Sequence, residues 1–355
     1  MAALPERTLL AGYSMVLPSD VKPDWRAGEM LTGGVAVIIV NFNSGTLLGE
    51  CLRHLQAQSR IPERIIVVDN ASEDGAIEPL LRVYPEVEWI RLERNVGFAA
   101  ANNLAARQAV GVEWLALLNP DAFPEPGWLE CLLRAARLDP GCASVGSRLL
   151  DAQEPDRLDG TGDTYHACGL AWRRDHGRWV AQGTTVAGEI FAPCAAAALY
   201  RRTAFFDAGG FDEDYFCYFE DVDLGFRLRL LGYRCQYAPD AVVRHVGSAI
   251  TGRRSPFSLY HGHRNLVWTW CKNMPGPLFW LYLPQHVLLN LGSMLWYALR
   301  GRGSILLQAK WDALRGLPRC WRQRRAIQAR RRVSTWQLRR MMSRGMGALY
   351  RRGGG

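Results

Sequence analysis

Val35-Ala36-Val37-Ile38-Ile39-Val40 is an unbroken apolar run rich in β-branched residues, the mark of a strand buried on both faces. Asn41-Phe42-Asn43-Ser44-Gly45 breaks it, and apolar residues then recur at helical spacing through Leu47, Leu48, Cys51, Leu52 and Leu55. The cycle repeats with a strand from Ile65 to Val68, a turn from Asp69 to Gly75 and a helix near Ile77 to Val83. Strands near Val87 to Leu92 and Trp114 to Leu118 follow, separated by an alanine-rich helix from Phe98 to Val110. Strand and helix alternating at this spacing predict an α/β, Rossmann-like fold: a mostly parallel sheet flanked by helices on both faces. Ligands of such sheets sit beyond the carboxyl ends of the strands. Asn41, Asp69, Arg94-Asn95 and Asn119-Pro120-Asp121 all fall there.

The second half is less regular. Asp159-Gly160-Thr161-Gly162-Asp163 and Arg173 to Gly177 read as turns between short strands. A helix from Glu220 to Leu231 meets Gly232 as its C-cap, and a strand around Val242 and Val243 leads into His245. A chain of 355 residues accommodates one large domain with an appendage, or two modest domains.

Charge divides the chain unevenly. From Arg300 onward there are 16 Lys/Arg and one acid, Asp312, which leaves 27 basic and 33 acidic residues before it, a net of −6. Ahead of this basic tail, Asn273 to Leu299 holds no Asp, Glu, Lys or Arg and is dense in Leu, Trp, Phe and Tyr. An uncharged aromatic segment beside a polybasic one is the pattern of a protein seated on an anionic membrane surface. No nucleic-acid-binding motif accompanies the tail, so no nucleic-acid partner is expected. Leu278 to Leu299 is long enough to span a bilayer, which needs about 20 apolar residues. However, Pro284, Gln285 and His286 interrupt it, and His286, Asn290, Ser293 and Tyr297 draw a polar stripe at helical spacing. A helix lying in the interface is the better reading, with the body on the cytoplasmic side, where basic tails prefer the leaflet. Nine dispersed cysteines without a CxxC pair read as reduced thiols in the cytosol.

Each candidate motif has a plain structural alternative. Asp69 closes a buried strand, either as an Asx-turn or as a carboxylate accepting a hydrogen bond from a nucleotide base. Asn119-Pro120-Asp121 is a β-turn, or it offers one of the one or two protein carboxylates that a cation on a diphosphate requires. Tyr218-Phe219-Glu220-Asp221-Val222-Asp223 crowds three carboxylates into four residues at a helix start, where the dipole and any nearby metal would keep Asp221 ionised as a general base. Glu220 or Asp223 would cap the helix or pair with Arg227. His245 is a packed core histidine or, with Asp121, a metal ligand. His261 and His263, flanking Gly262, read as a surface loop.

These residues resemble the inverting family 2 glycosyltransferases with the GT-A fold, in particular the rhamnosyltransferase-like branch of bacterial polysaccharide assembly. The resemblance rests on VIIVNFNS (37–44), VVDNASEDG (67–75), ERNVGFAAANN (93–103), LLNPDAFP (117–124), AGGFDEDYFCYFEDVDLGFRLRLLGY (208–233) and AVVRHVG (241–247). It implies a GT-A domain over 34–255, and composition sets beside it a loosely ordered leader over 1–33, a linker and hydrophobic membrane-associated helix over 256–300, and a basic helical tail over 301–355. Phe42, Asp69, Asn95, Gly97 and Phe98 would bind the nucleotide-sugar donor. Asp121, where the family's DxD motif stands with Asn119 in place of its first Asp, would join His245 on Mg2+ or Mn2+. Asp221 would be the catalytic base beside Glu220, with Asp223 orienting the acceptor or the helix. The implied enzyme moves a sugar, rhamnose foremost, from a nucleotide-diphosphate donor to a lipid-linked glycan or polysaccharide at the cytoplasmic face of a bacterial membrane, as a peripheral or monotopic protein. The rival readings are transfer of another hexose and a catalytically silent membrane scaffold of the same fold.

Overall fold

The computed structural model describes residues 31–247 and 255–345. Most of the leader expected over 1–33 lies outside the described residues, as do 248–254 and the end of the tail. The chain runs β1 (Leu31–Asn41), α1 (Leu47–Gln56), β2 (Arg64–Asp69), α2 (Ile77–Val83), β3 (Glu88–Arg91), α3 (Phe98–Gln108), β4 (Val112–Leu118), β5 (Ala122–Pro124) and α4 (Trp128–Arg137). There follow β6 (Cys142–Asp151), β7 (Leu158–Gly160), β8 (Asp163–Tyr165), β9 (Ala171–Arg173), β10 (Gly188–Glu189), β11 (Ala197–Arg201), α5 (Arg202–Asp207), α6 (Glu220–Leu230) and β12 (Arg234–His245). Five helices close the described chain: α7 (Pro256–Asn273), α8 (Gly276–Ala298), α9 (Gly303–Arg315), α10 (Leu317–Ala329) and α11 (Thr335–Met341).

The main sheet is ordered β3-β2-β1-β4-β11-β6-β12-β10. β1 lies parallel to β2 and β4, β2 to β3, and β6 to β12, while β11 is wedged antiparallel between β4 and β6. Alternation along β1 explains the apolar run. Val35, Val37 and Ile39 pack on one face with Leu48, Leu52 and Leu132, while Ala36, Ile38 and Val40 pack on the other with Ala101, Ala105 and Leu224. Both faces are covered, so every second residue cannot be polar.

A third core joins the C-terminal helices to the sheet domain: Tyr165, Phe191, Val222 and Phe226 pack with Leu266, Trp270, Leu278, Cys320 and Leu338. The basic tail also folds back on the acidic body, through Arg319 to Asp214 at 2.6 Å and Arg330 to Asp207 at 2.5 Å. His261 and His263 are not on a surface loop: they lie half-buried in α7. The loop reading failed because Gly262, taken as a break, sits inside a helix capped by Ser255 and started by Pro256.

α8 turns its polar stripe inward. His286 is buried and Asn290, Ser293 and Tyr297 are half-buried, whereas Trp280, Leu288, Leu291, Leu295 and Trp296 are each more than half exposed. Among the described residues, no helix is long and apolar enough to cross a membrane.

Candidate active site

Parallel pairing sets the carboxyl ends of β1 and β2 side by side, with Asn41 opposite Asp69. Asn41 Nδ2 donates to Asp69 Oδ1 at 2.9 Å, and its Oδ1 accepts from the Ser44 hydroxyl, so the buried Asp69 carboxylate is held by the next strand end. Phe42 is half-buried in the turn that follows β1. Beyond β3, Asn95 Oδ1 accepts from Asn70 Nδ2 and from the Gly97 amide, each at 2.9 Å, which ties the third loop to the second. Gly97 has φ +88°, and a Cβ there would stand 2.6 Å from Phe216. Only glycine fits both constraints. Half-buried Phe98 begins α3 and meets the Phe211 ring at 6.2 Å.

Asn119-Pro120-Asp121 is a turn, closed by the Ala122 amide on Asn119 O at 3.1 Å, and it also stands at a strand end. The turn reading holds, and the turn leaves Asp121 at the carboxyl end of β4. Immediately after it, β5 pairs antiparallel with β12, setting Ala122 opposite His245. That pairing brings Asp121 Oδ1 to 3.4 Å from His245 Nε2. Both atoms are buried, and neither makes a hydrogen bond among the described residues. The other imidazole nitrogen, Nδ1, lies 2.7 Å from Asp159 Oδ2. A carboxylate at that distance assigns the proton to Nδ1 and leaves a lone pair on Nε2. Burial alone would depress the His245 pKa, but Asp121 and Asp159 outweigh it and raise it. Asp121 shows the converse: burial opposes its charge, and His245 still holds it below the ordinary carboxylate range.

Two orphaned buried atoms facing one point, one anionic and one imidazole, fit a divalent cation, which would take the place of the second imidazole proton. No group of three or more His, Cys, Asp or Glu among the described residues is arranged around an ion. A cation held there by Asp121 and His245 among the described residues would need a diphosphate to supply further ligands.

Asp221 opens α6. Its Oδ2 accepts from the Ala195 amide at 3.1 Å and its Oδ1 from the Val222 amide at 2.8 Å. The Asn119 amide donates to the neighbouring Ala196 O at 2.8 Å, so one short segment before β11 joins Asp221 to the Asn119–Asp121 turn. The helix start was expected to keep Asp221 ionised. Burial opposes that, outweighing the two backbone hydrogen bonds and nearby Arg173, and its pKa is raised. Glu220 is also buried, with Oε2 unpartnered, and burial followed by the charge of Asp221 pushes it well up. Asp223 turns away from this group. Fully buried, it ion-pairs with Arg227 at 2.8 Å and Lys272 at 3.0 Å and accepts from Asn273 Nδ2 at 2.6 Å, which fastens α6 to α7.

The approach to α6 is strained. Phe216, Tyr218 and Phe219 have φ of 65°, 68° and 68°, a left-handed conformation that costs L-residues about 1–2 kcal/mol each. Asn265 holds the loop, with Nδ2 at 3.1, 2.9 and 2.7 Å from the carbonyl oxygens of Tyr215, Cys217 and Tyr218.

Four residues of this constellation escaped the sequence reading. Asp159 braces His245 and is itself ion-paired with Arg173 and, at 3.4 Å, with His176. Asp163 is buried on β8, and burial and then the charge of Asp221 push it up to about 8. Asp159, Asp163 and Arg173 lay in stretches read only as turns, and Asn265 in one read as a loop. The one available signal was two carboxylates bracketing Gly160-Thr161-Gly162.

Residues 36–207 match the model of the family described as Glycosyl transferase family 2. Asp69, Asn95 and Asp121 lie within that match, while Asp221 and His245 lie beyond it. The chain is similar to the N-acetylglucosaminyl-diphospho-decaprenol L-rhamnosyltransferase of Mycobacterium tuberculosis, 29% identical over 262 residues, spanning 66% of this chain and 83% of that one. It is also similar to the O-antigen biosynthesis protein RfbC of Myxococcus xanthus, 28% identical over 65% of this chain but only 19% of that much longer one. Among solved structures, GalNAc-T7 with UDP, GalNAc and Mn2+ shares the fold at a TM-score of 0.55 and 16% identity, over 66% of this chain and 47% of that one.

Proposed function

As this chain is a glycosyltransferase of family 2, we propose that it transfers a sugar, with inversion, from a nucleoside-diphosphate donor to a lipid-linked glycan. Rhamnose from deoxythymidine-diphosphate rhamnose is the donor we assign. The observation that carries the reading is the pair of unpartnered buried atoms, Asp121 Oδ1 and His245 Nε2, 3.4 Å apart at the end of the sheet where donors bind. The named substrate of the mycobacterial relative supports both rhamnose and a polyprenyl-diphosphate acceptor.

Phe42 and Asp69 bind the base, and the Asn95–Phe98 turn bounds the donor pocket. Asp121 and His245 would hold a magnesium or manganese ion, which would supply positive charge against the leaving diphosphate. Asp159 keeps the imidazole oriented with Nε2 free. Asp221 takes the proton from the acceptor hydroxyl as its oxygen attacks the anomeric carbon. The bond to the diphosphate breaks on the opposite face in the same step. A raised pKa makes Asp221 a stronger base than an exposed aspartate, provided the pH keeps it ionised. Asp223 acts only by fixing the helix.

Attachment to the cytoplasmic face of the membrane belongs to the same proposal. It is supported by the outward Leu and Trp side chains of α8 and by Arg300 lying 3.4 Å over the Trp296 ring, a cation beside an exposed aromatic. The test is to offer the purified protein a panel of nucleotide sugars with a polyprenyl-diphosphate-linked N-acetylglucosamine acceptor and read the anomeric configuration of the product by NMR. Inverted rhamnosyl product is expected; a retained configuration would contradict the mechanism, and turnover of a different sugar the donor assignment.

A further inference from the structure

A cavity of about 810 Å3 opens between α7, α8, α9 and α10. Its buried floor includes Trp270, Phe279, His286 and Lys310, and its exposed rim includes Leu291 and Trp321. The volume falls within the range of ligand pockets, about 300–1,000 Å3. The lining is almost wholly apolar apart from its cations.

Lys310 is the anomaly. It is only 8% exposed, its Nζ donates to His263 O at 2.8 Å, and it forms no ion pair among the described residues. Burial lowers its pKa to about 7. A buried lysine lining an apolar cavity with no carboxylate partner among the described residues is a group that an anion bound beside it would hold in the charged form.

The cavity has an inner and an outer direction. His286 stacks on Trp270 with ring centroids 4.0 Å apart, and both side chains hydrogen-bond to the segment after β8, at Cys168 O and Ala167 O. β8 carries Asp163, so the floor is tied to the chain that leads out of the candidate active site. The rim runs into the exposed apolar face of α8, where Leu288, Leu295 and Trp296 stand outward.

We propose that this cavity binds the lipid of the acceptor, with a phosphate against Lys310 and an isoprenoid chain running past Leu291 towards the membrane. The inference rests on the lipid-linked acceptor argued above and adds the place where that lipid is held. An anion at the inner end and hydrocarbon at the outer end match both the buried cation and the apolar rim.

The test is calorimetric titration of the full chain with farnesyl phosphate, with farnesol and inorganic phosphate as separate arms and phosphatidylglycerol vesicles as competitor. Farnesyl phosphate should bind at least about tenfold more tightly than farnesol, one charge-assisted hydrogen bond sufficing for that ratio. Lys310→Gln, which retains a donor for His263 O, should remove the preference, and Lys310→Arg should restore part of it. Leu291→Glu, at a position already 57% exposed and so safe for folding, should weaken both ligands about tenfold. Acceptor-independent hydrolysis of the nucleotide sugar should be unchanged in every variant. Equal binding of farnesol and farnesyl phosphate, indifference to Lys310→Gln and Leu291→Glu, or equal displacement by phosphatidylglycerol would overturn the assignment. Tight farnesyl phosphate binding by a protein that turns over no donor would support the lipid site and strike the transferase details instead.

Discussion

Asp221 and Asp163 are interacting carboxyls whose pKa values are both raised, chiefly by burial. Asp163 is pushed up to about 8, by burial first and then by the charge of Asp221. An unfolded Asp titrates near pH 3.9, so the folded chain holds a proton that the unfolded chain has lost between about pH 4 and 8. The stability this proton carries is complete below about pH 4 and lost as pH rises through about 8. Asp163→Asn mimics the protonated acid without titrating. It should therefore retain activity at pH 7 and gain thermal stability over the parent as pH rises from about 4 to 8, read as melting temperature against pH. A variant inactive at pH 7 would mean that Asp163 works as an anion. Asp159→Asn acts through His245, whose Nδ1 it braces at 2.7 Å. It should raise the cation concentration needed for half-maximal turnover by about 10–100-fold, measured by manganese titration. At this scale the sequence exposed Asp121, Asp221 and His245, because each sits beside a strand end or a helix start. It could not expose Asp159 or Asp163, whose placement arises only where β7, paired with β6, sets Asp159 against His245 and where β8, paired with β9, carries Asp163.

α6 carries Asp221, the base in the proposed mechanism, and Asp223 holds α6. Its ion pairs with Arg227 and Lys272 lie in the dry seam against α7. Asp223→Ala leaves buried Arg227 without its carboxylate and Lys272 with Asp212 alone, and should cost about 3–5 kcal/mol, seen as a lowered denaturation midpoint with activity per folded molecule retained. The sequence supplied the Asp223–Arg227 spacing but not Lys272, 49 residues further on. Short elements were legible wherever apolar periodicity ran unbroken: the limits of β2 and α2 match the expected ones closely, while β1 begins at Leu31, four residues before the expected Val35. The end of α6 was legible from Gly232, which has φ +88° and joins Tyr233 in closing the last turn onto Arg229 O and Leu228 O. The strained 216–219 loop was not, because its shape is imposed by Asn265 from another helix.

The whole molecule is a sheet domain onto which a helical appendage is fastened by a continuous core and by ion pairs between an acidic body and a basic tail. Composition revealed the appendage and its charge, yet could not say which face of α8 would turn outward. That orientation follows from His286 meeting Cys168 O. Full-length protein should bind anionic vesicles, more weakly as salt rises, and Trp296→Ser should weaken binding by about tenfold or more in a sedimentation assay. The central claim is a base-assisted displacement from a cation-held diphosphate, and release of nucleoside diphosphate from deoxythymidine-diphosphate rhamnose tests it most directly. The parent protein and Asp221→Asn would be assayed with acceptor, with and without manganese. The account predicts manganese-dependent release that falls by about 10²–10⁴-fold in Asp221→Asn. Undiminished release by Asp221→Asn, or release indifferent to the cation, would contradict it.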